Sequence, residues 1–217
     1  MIRVLVADDE ALMRAGIRLI LENAEDIRVV AEAGDGREAA AACRAQDIDV
    51  ALLDIQMPGR DGIAAAEDIT RLSPRTCVVM LTAFGEEESV TRALRAGASG
   101  FLLKDTGPAE LIRAVQRAAE GEPVLAPRIT RQLLERHVKS GRNTETALRR
   151  TGVLTPAEHD VLRLLGTGLS NAEIADQLYL SAGTVKAHIS RILTRTGCAN
   201  RVQAAVLAHD AGLLTGH

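Results

Sequence analysis

Aromatic side chains are nearly missing: the 217 residues include two Phe, one Tyr and no Trp. A core must therefore be built from Ala, Val, Leu and Ile, and the stacking platforms that grip single-stranded nucleic acid are excluded. Cysteine is scarce too. Cys43, Cys77 and Cys198 are odd in number, far apart and each set in an apolar stretch. They read as buried small hydrophobes, with no disulfide framework and no zinc site. No run approaches the roughly 18 consecutive apolar residues of a membrane span, and MIRVLVADDE lacks the layout of a signal peptide. A cytoplasmic protein with no membrane partner is expected. Lysine is the third scarcity: of 26 basic side chains only Lys104, Lys139 and Lys186 are lysines.

What is present is the balance of a globular chain, 47% hydrophobic and 25% charged, long enough for one large domain or two ordinary ones. The net charge of −3 hides an asymmetry. Residues 1–120 carry 21 acidic against 14 basic side chains and residues 121–217 carry 8 against 12. An acidic half precedes a basic one, so only the second half suits a polyanion.

Short apolar runs at Ile2–Ala7, Val29–Ala33, Val50–Leu53, Cys77–Leu81 and Gly100–Leu103 alternate with helical patterns near 10–23, 36–45, 61–72, 86–95 and 108–120. Such alternation predicts a five-stranded parallel sheet covered on both faces, an α/β doubly wound, flavodoxin-like domain over residues 1–120. Ligands of such folds sit beyond the carboxyl ends of the strands. Gly121-Glu122-Pro123 ends the last helix. A short amphipathic helix is expected at 127–139 through Ile129, Leu133, Leu134 and Val138, and GRNTETALRRTG, lacking an apolar face, reads as flexible, so 121–152 is taken as a linker. From 153 to 217 the pattern is all α. Thr155-Pro156-Ala157-Glu158 and Ser170-Asn171-Ala172-Glu173 are capping boxes, Ser181 precedes a third helix, and 200–213 forms a fourth. The tight joint Leu178-Tyr179-Leu180 suits a helix-turn-helix.

Several polar residues stand at strand ends. Asp8 and Asp9 follow the first strand, Asp54 the third, Thr82 the fourth and Lys104 the fifth. In a parallel sheet these side chains converge on one edge. Each alone is weak, since an isolated aspartate there is usually a cap. Together they make a pocket of three mutually repelling carboxylates that needs a cation. Oxygen-only ligands select Mg²⁺. A carboxylate can take up a phosphoryl group as an aspartyl-phosphate, and a lysine and a threonine are suitable partners for the phosphoryl oxygens. Where arginine is the default cation, Lys104 reads as a compact point charge.

VADDE (6–10), LLDIQMPGRDG (52–62), LTAF (81–84) and GFLLKD (100–105) resemble the receiver domains of two-component response regulators. The resemblance implies Asp54 as phosphoacceptor, with Mg²⁺ held by Asp9, Asp54 and the Gln56 carbonyl and aided by Asp8 through water. It implies Thr82 and Phe101 as a switch pair whose hydroxyl follows the phosphoryl group while the ring turns inward, Ala83 as the small neighbour that leaves room, and a sensor histidine kinase as donor. Asp105 stands where many receivers have proline, a mark of the NarL-like branch.

In the second half, Val185, Ile189, Ile192 and Leu193 form the buried stripe of one helix, while Lys186, Ala187, Ser190 and Arg191 lie on or beside the opposite face. A small, basic outer face fits the major groove of double-stranded DNA; the plain alternative is a surface helix with two cations. LTPAEHDVLRLLGTGLSNAEIADQLYLSAGTVKAHISRIL (154–193) resembles the LuxR/NarL/FixJ-type helix-turn-helix. That likeness implies a recognition helix at 182–195, with Ser181 and Thr184 joining the outer-face residues at promoter DNA. It also implies a last helix able to form a homodimer in the active state, RNA polymerase as a partner, and a structural His188. The segment Arg195–Asn200 departs from the common pattern and is expected to weaken one apolar anchor. The combined expectation is a phosphorylation-controlled transcription factor, not an enzyme beyond self-catalysed phosphoryl transfer and slow autodephosphorylation. Two rivals differ in class. A phosphotransferase with an aspartyl intermediate would require a second Asp as general acid, which is not evident, and an adaptor that never reads DNA would not need Lys186 and Arg191.

Overall fold

The computed structural model describes residues 1–82, 87–125 and 144–214. Two compact units, Met1–Gln132 and Leu133–His217, divide the chain.

The first unit is a parallel sheet wrapped by helices. Its elements are β1 (Ile2–Ala7), α1 (Ala11–Leu21), β2 (Ile27–Ala33), α2 (Gly36–Ala45), β3 (Val50–Asp54), α3 (Gly62–Leu72), β4 (Cys77–Thr82), α4 (Glu87–Arg95), β5 (Gly100–Leu103), α5 (Pro108–Ala119) and β6 (Val124–Leu125). Period-two alternation divides the strand residues between two faces. Val4, Val6, Val50, Leu52, Val79, Leu81 and Leu102 pack against Ile17 and Leu21 of α1 and Leu111 and Val115 of α5. The opposite parity, including Leu5, Ala51, Leu53, Met80 and Phe101, is equally buried, which is why these strands read as unbroken apolar runs. The strand order β2-β1-β3-β4-β5-β6 reverses direction at β1 and β3, and that reversal opens a crevice past the carboxyl ends of those two strands.

The sheet departs from expectation at both edges. β2 starts two residues earlier, at Ile27, because Ile27 is buried and pairs with Ile2 although Arg28 interrupts the apolar run. β6 adds a sixth strand that pairs with Gly100 and Phe101; two residues are too few to leave a pattern in sequence.

The second unit comprises α6 (Thr144–Thr151), α7 (Pro156–Gly166), α8 (Asn171–Leu178), α9 (Ala182–Thr196) and α10 (Arg201–Asp210). Both capping boxes form, Thr155 with Glu158 and Ser170 with Glu173, and Ser181 and Asn200 cap α9 and α10. One core holds the helices together, with Val161, Leu162, Leu165, Ile174, Val185 and Ile192 at its centre.

Residues 144–151, read as part of a flexible linker, are helical. Only Ala147 and Thr151 of α6 are buried, too narrow a stripe to announce an amphipathic helix. One arginine helps to fix α6: Arg150 donates from Nε to the Thr196 carbonyl at 2.8 Å and from Nη2 to Cys198 Sγ at 3.3 Å. Cys198 is itself buried in the core and fills the anchor position that Arg195–Asn200 was expected to weaken. The helix expected at 127–139 and the small residue Ala83 lie outside the described residues.

Candidate functional site

The loop from Ile55 to Asp61 shapes one wall of the crevice. Its fold depends on Gly62, whose N–H donates to the Ile55 carbonyl at 3.0 Å. A Cβ at Gly62 would lie 1.9 Å from the Asp54 carbonyl oxygen, so only glycine lets α3 start this close to the end of β3. Asp61 then caps α3 by accepting from the Ala64 N–H at 2.7 Å.

Beyond the strand ends lies a cleft of about 790 Å³, lined by Asp9, Asp54, Gln56, Thr82 and Lys104 among others. Asp8, behind it, is fully buried, whereas Asp54 is 4% exposed. One oxygen from each of Asp8, Asp9 and Asp54 lies within 4.8 Å of the others, a spacing that fits a hard divalent cation held by carboxylates. The buried charge is partly balanced by Lys104, whose Nζ is 2.8 Å from Asp8 Oδ2 and 3.1 Å from Asp54 Oδ2. Asp8 Oδ1 accepts the Glu10 N–H at 2.9 Å, so its carboxylate is held rigidly.

Burial pushes the Asp54 carboxyl above its ordinary pKa; the charge of Asp8 adds to this, while hydrogen bonds from Lys104 and the Gln56 backbone oppose it. Burial alone would lower the Lys104 ammonium, but hydrogen bonds and charge from Asp8 and Asp54 outweigh it and leave the group raised. Burial thus disfavours the charged form of Asp54 while Lys104 supports it, a setting suited to a partner that neutralises the carboxylate.

The structure thus brings Asp8, Asp9, Asp54, Gln56, Thr82 and Lys104 together. Phe101 stands apart: it is fully buried within the fold and does not line the cleft. Its ring is buried in this structure. Two residues of α4, Ser89 and Arg92, reach the cleft on one helix face and were not anticipated, because only the strand ends give a register that sequence can show.

In the helical unit, α9 buries Val185, Ile189 and Ile192, with Leu193 partly covered. Ser181, Thr184, Lys186, Ala187, Ser190 and Arg191 are all exposed. Ser181 has a structural duty first: its Oγ accepts the Thr184 N–H at 3.1 Å and lies 2.9 Å from Thr184 Oγ1. His188 is engaged through Nδ1, 3.1 Å from Arg191 Nη2.

Glu158 is the residue whose wider part the sequence concealed. Beyond its capping box it is 2% exposed and faces two arginines of α9, with Arg195 Nη1 at 3.0 Å from Oε2 and Arg191 Nε at 3.6 Å from Oε1. The Thr155 backbone N–H, then the Thr155 side chain and the two arginines, hold its carboxyl below the ordinary value against the opposing effect of burial. Because the folded pKa is depressed, the stabilisation is present above the ordinary glutamate range and is lost as pH falls through the folded value. Glu158→Gln should therefore lower the melting temperature of the helical unit at neutral pH, by roughly 3–6 °C. Melts over a pH series should show the gap closing in acid; a gap independent of pH would mean that shape, not charge, is what the glutamine lacks. A buried cation, Arg201, donates to Asn171 Oδ1 and the Leu169 carbonyl and so ties α10 to the start of α8.

Comparison with known proteins gives two matches along the chain. Residues 4–116 match the response regulator receiver domain, and residues 152–208 match the luxR family of bacterial regulatory proteins. The sequence is 40% identical over 213 residues to the uncharacterized transcriptional regulatory protein YxjL of Bacillus subtilis, covering 98% of this chain and 97% of that one. It is 36% identical over 207 residues to the nitrate/nitrite response regulator protein NarL of Escherichia coli K12, covering 95% and 94%. Among solved structures, that of two RcsB dimers bound to two parallel DNAs has a TM-score of 0.56 at 26% identity over 99% of both chains.

Proposed function

The chain belongs to the two-component response regulators with a LuxR-type DNA-binding domain, and from that premise we propose that Asp54 is its phosphoacceptor and α9 its recognition helix. Proteins of this family are transcription factors and not enzymes in the ordinary sense. The observation that carries the proposal is the grouping of Asp54 with Asp8, Asp9 and Lys104 at the switch point of the sheet.

In the proposed reaction an Asp54 carboxylate oxygen attacks the phosphorus of a phosphohistidine on a sensor kinase. A P–O bond forms, the P–N bond breaks, and the released imidazole takes up a proton. Asp9, Asp54 and the Gln56 carbonyl would hold Mg²⁺, with Asp8 acting through water, and the ion would neutralise phosphoryl oxygens. Lys104 is released from part of its pairing with Asp54 and becomes a partner for the new charge, which is roughly −1.5 to −2. The buried Thr82 hydroxyl, at the end of β4, is placed to follow the phosphoryl group and carry the change into the fold. Phe101, buried on the neighbouring strand, would be the aromatic partner of that switch. The output is a homodimer on promoter DNA acting with RNA polymerase, and the cytoplasm is where such DNA is found.

Recognition is tested by titrating cognate and scrambled duplexes at several salt concentrations. Lys186→Ala should lose roughly 1–3 kcal/mol on cognate DNA and relax specificity at one base position, as for a side chain that reads a base edge. Arg191→Ala should weaken both duplexes about equally and lower the salt slope by about one, as for a phosphate contact. The arginine's pairing with Glu158 supports that second role, because it holds the guanidinium towards the edge of the helix. Equal losses on both duplexes for Lys186→Ala would demote it to a backbone contact; no loss for either variant would overturn the placement of the recognition helix.

A further inference from the structure

The single tyrosine of the chain occupies a position that the fold alone does not explain. Tyr179 ends α8 with φ 55 and ψ 43, in the left-handed region, and it is the one non-glycine residue with positive φ among the described residues. The turn demands this conformation: Tyr179 and Leu180 both donate their N–H groups to the Ala175 carbonyl, which closes α8 and sends the chain into α9. Glycine or asparagine adopts it at the least cost, and a bulky side chain is disfavoured there. The ring does not offset that cost by burial, for it is 95% exposed. Among the described residues its hydroxyl makes no hydrogen bond. An unfavourable backbone conformation retained without a stabilising contact points to a function for the side chain.

Its place suggests which. Tyr179 lies two residues before Ser181, the cap of α9, and so beside the exposed row of Ser181, Thr184 and Lys186. We propose that Tyr179 is a DNA-backbone contact, its phenolic hydroxyl donating to a phosphate oxygen at the edge of the groove that α9 enters. Tyrosine hydroxyls are among the groups that bond phosphate oxygens and so set the register of a protein on the duplex. This inference rests on the reading of α9 as the recognition helix. A neutral donor releases no counterion, so the contact strengthens binding to every sequence without adding to the salt dependence.

The scarcity of aromatics supplies the test. With no Trp in the chain, Tyr179 is its only tyrosine and dominates the intrinsic fluorescence of the full-length protein. Titration with a random-sequence duplex at low ionic strength should change that emission in step with binding. Tyr179→Phe, which keeps the ring and removes the hydroxyl, should weaken binding to random-sequence duplex by about tenfold, with the salt slope unaltered. Tyr179→Asn should bind as weakly as Tyr179→Phe while melting no lower than the parent, because asparagine tolerates the turn. Unchanged affinity of Tyr179→Phe alongside a loss in Lys186→Ala would overturn the proposal and leave the recognition helix in place. Unchanged affinity in both would overturn the helix reading with it. Normal DNA binding by Tyr179→Phe combined with reduced transcription in the presence of polymerase would assign the hydroxyl to a protein contact and likewise refute the proposal.

Discussion

Incubated with acetyl phosphate and Mg²⁺, the protein should gain the mass of one phosphoryl group, and its Asp54→Asn variant should gain none. Asp54 is the carboxylate that both lines the cleft and is paired with Lys104, whereas Asp8 is fully buried behind it and Asp9 is exposed on the rim. The same substitution should have an opposite effect on stability. Burial raises the folded pKa of Asp54, so its contribution is present at pH below the ordinary carboxyl value and is lost as pH rises through the raised one. The charged form is the costly one, and at neutral pH Asp54→Asn should melt roughly 2–4 °C higher than the parent in buffer without divalent cations. Added Mg²⁺ should raise the parent's melting temperature and narrow that difference, as any ligand confined to the native state does. Labelling of Asp54→Asn to the parent's extent would place the acceptor elsewhere.

Gly62→Ala should be the most damaging single methyl in the receiver unit. The added Cβ would come within 1.9 Å of the Asp54 carbonyl oxygen and 3.2 Å of Met80 Cε. Methionine can move aside; a strand carbonyl cannot without shifting the acceptor residue itself. Overpacking of this sort costs about 2–3 kcal/mol, which corresponds to a fall in melting temperature of roughly 8–12 °C. Phosphoryl uptake should slow as well, because the residue displaced is Asp54. Calorimetry of the variant together with its labelling rate checks both parts. A melting temperature within about 2 °C of the parent would show that the Ile55–Asp61 loop gives way, and that Gly62 does not set the geometry of the site.

The receiver site was legible in the sequence for a topological reason. In a parallel sheet the residue after each apolar run falls on the same edge, so Asp8, Asp9, Asp54, Thr82 and Lys104 could be assembled before any distance was known. Boundaries followed less well where polar residues interrupt the apolar pattern, as Arg28 does in β2, or where an element is as short as β6. α6 leaves no helical period in the sequence because its buried side chains, Ala147 and Thr151, are small and few. Glu158 could be recognised as a capping residue from its spacing to Thr155, but its pairing with Arg191 and Arg195 joins residues more than 30 positions apart and depends on how α7 crosses α9. The conformation of Tyr179 was hidden for the opposite reason: the turn, not the residue, imposes it.

The most direct test is the affinity of the full-length protein for a duplex recovered by genomic selection, measured before and after phosphorylation with acetyl phosphate, in the parent and in Asp54→Asn. Phosphorylation should tighten binding by the parent at least roughly fivefold, the lower end of ordinary coupling between sites, and leave Asp54→Asn unchanged. Equal affinity of the parent in both states, with uptake of the phosphoryl group verified by mass, would contradict control of DNA binding through Asp54.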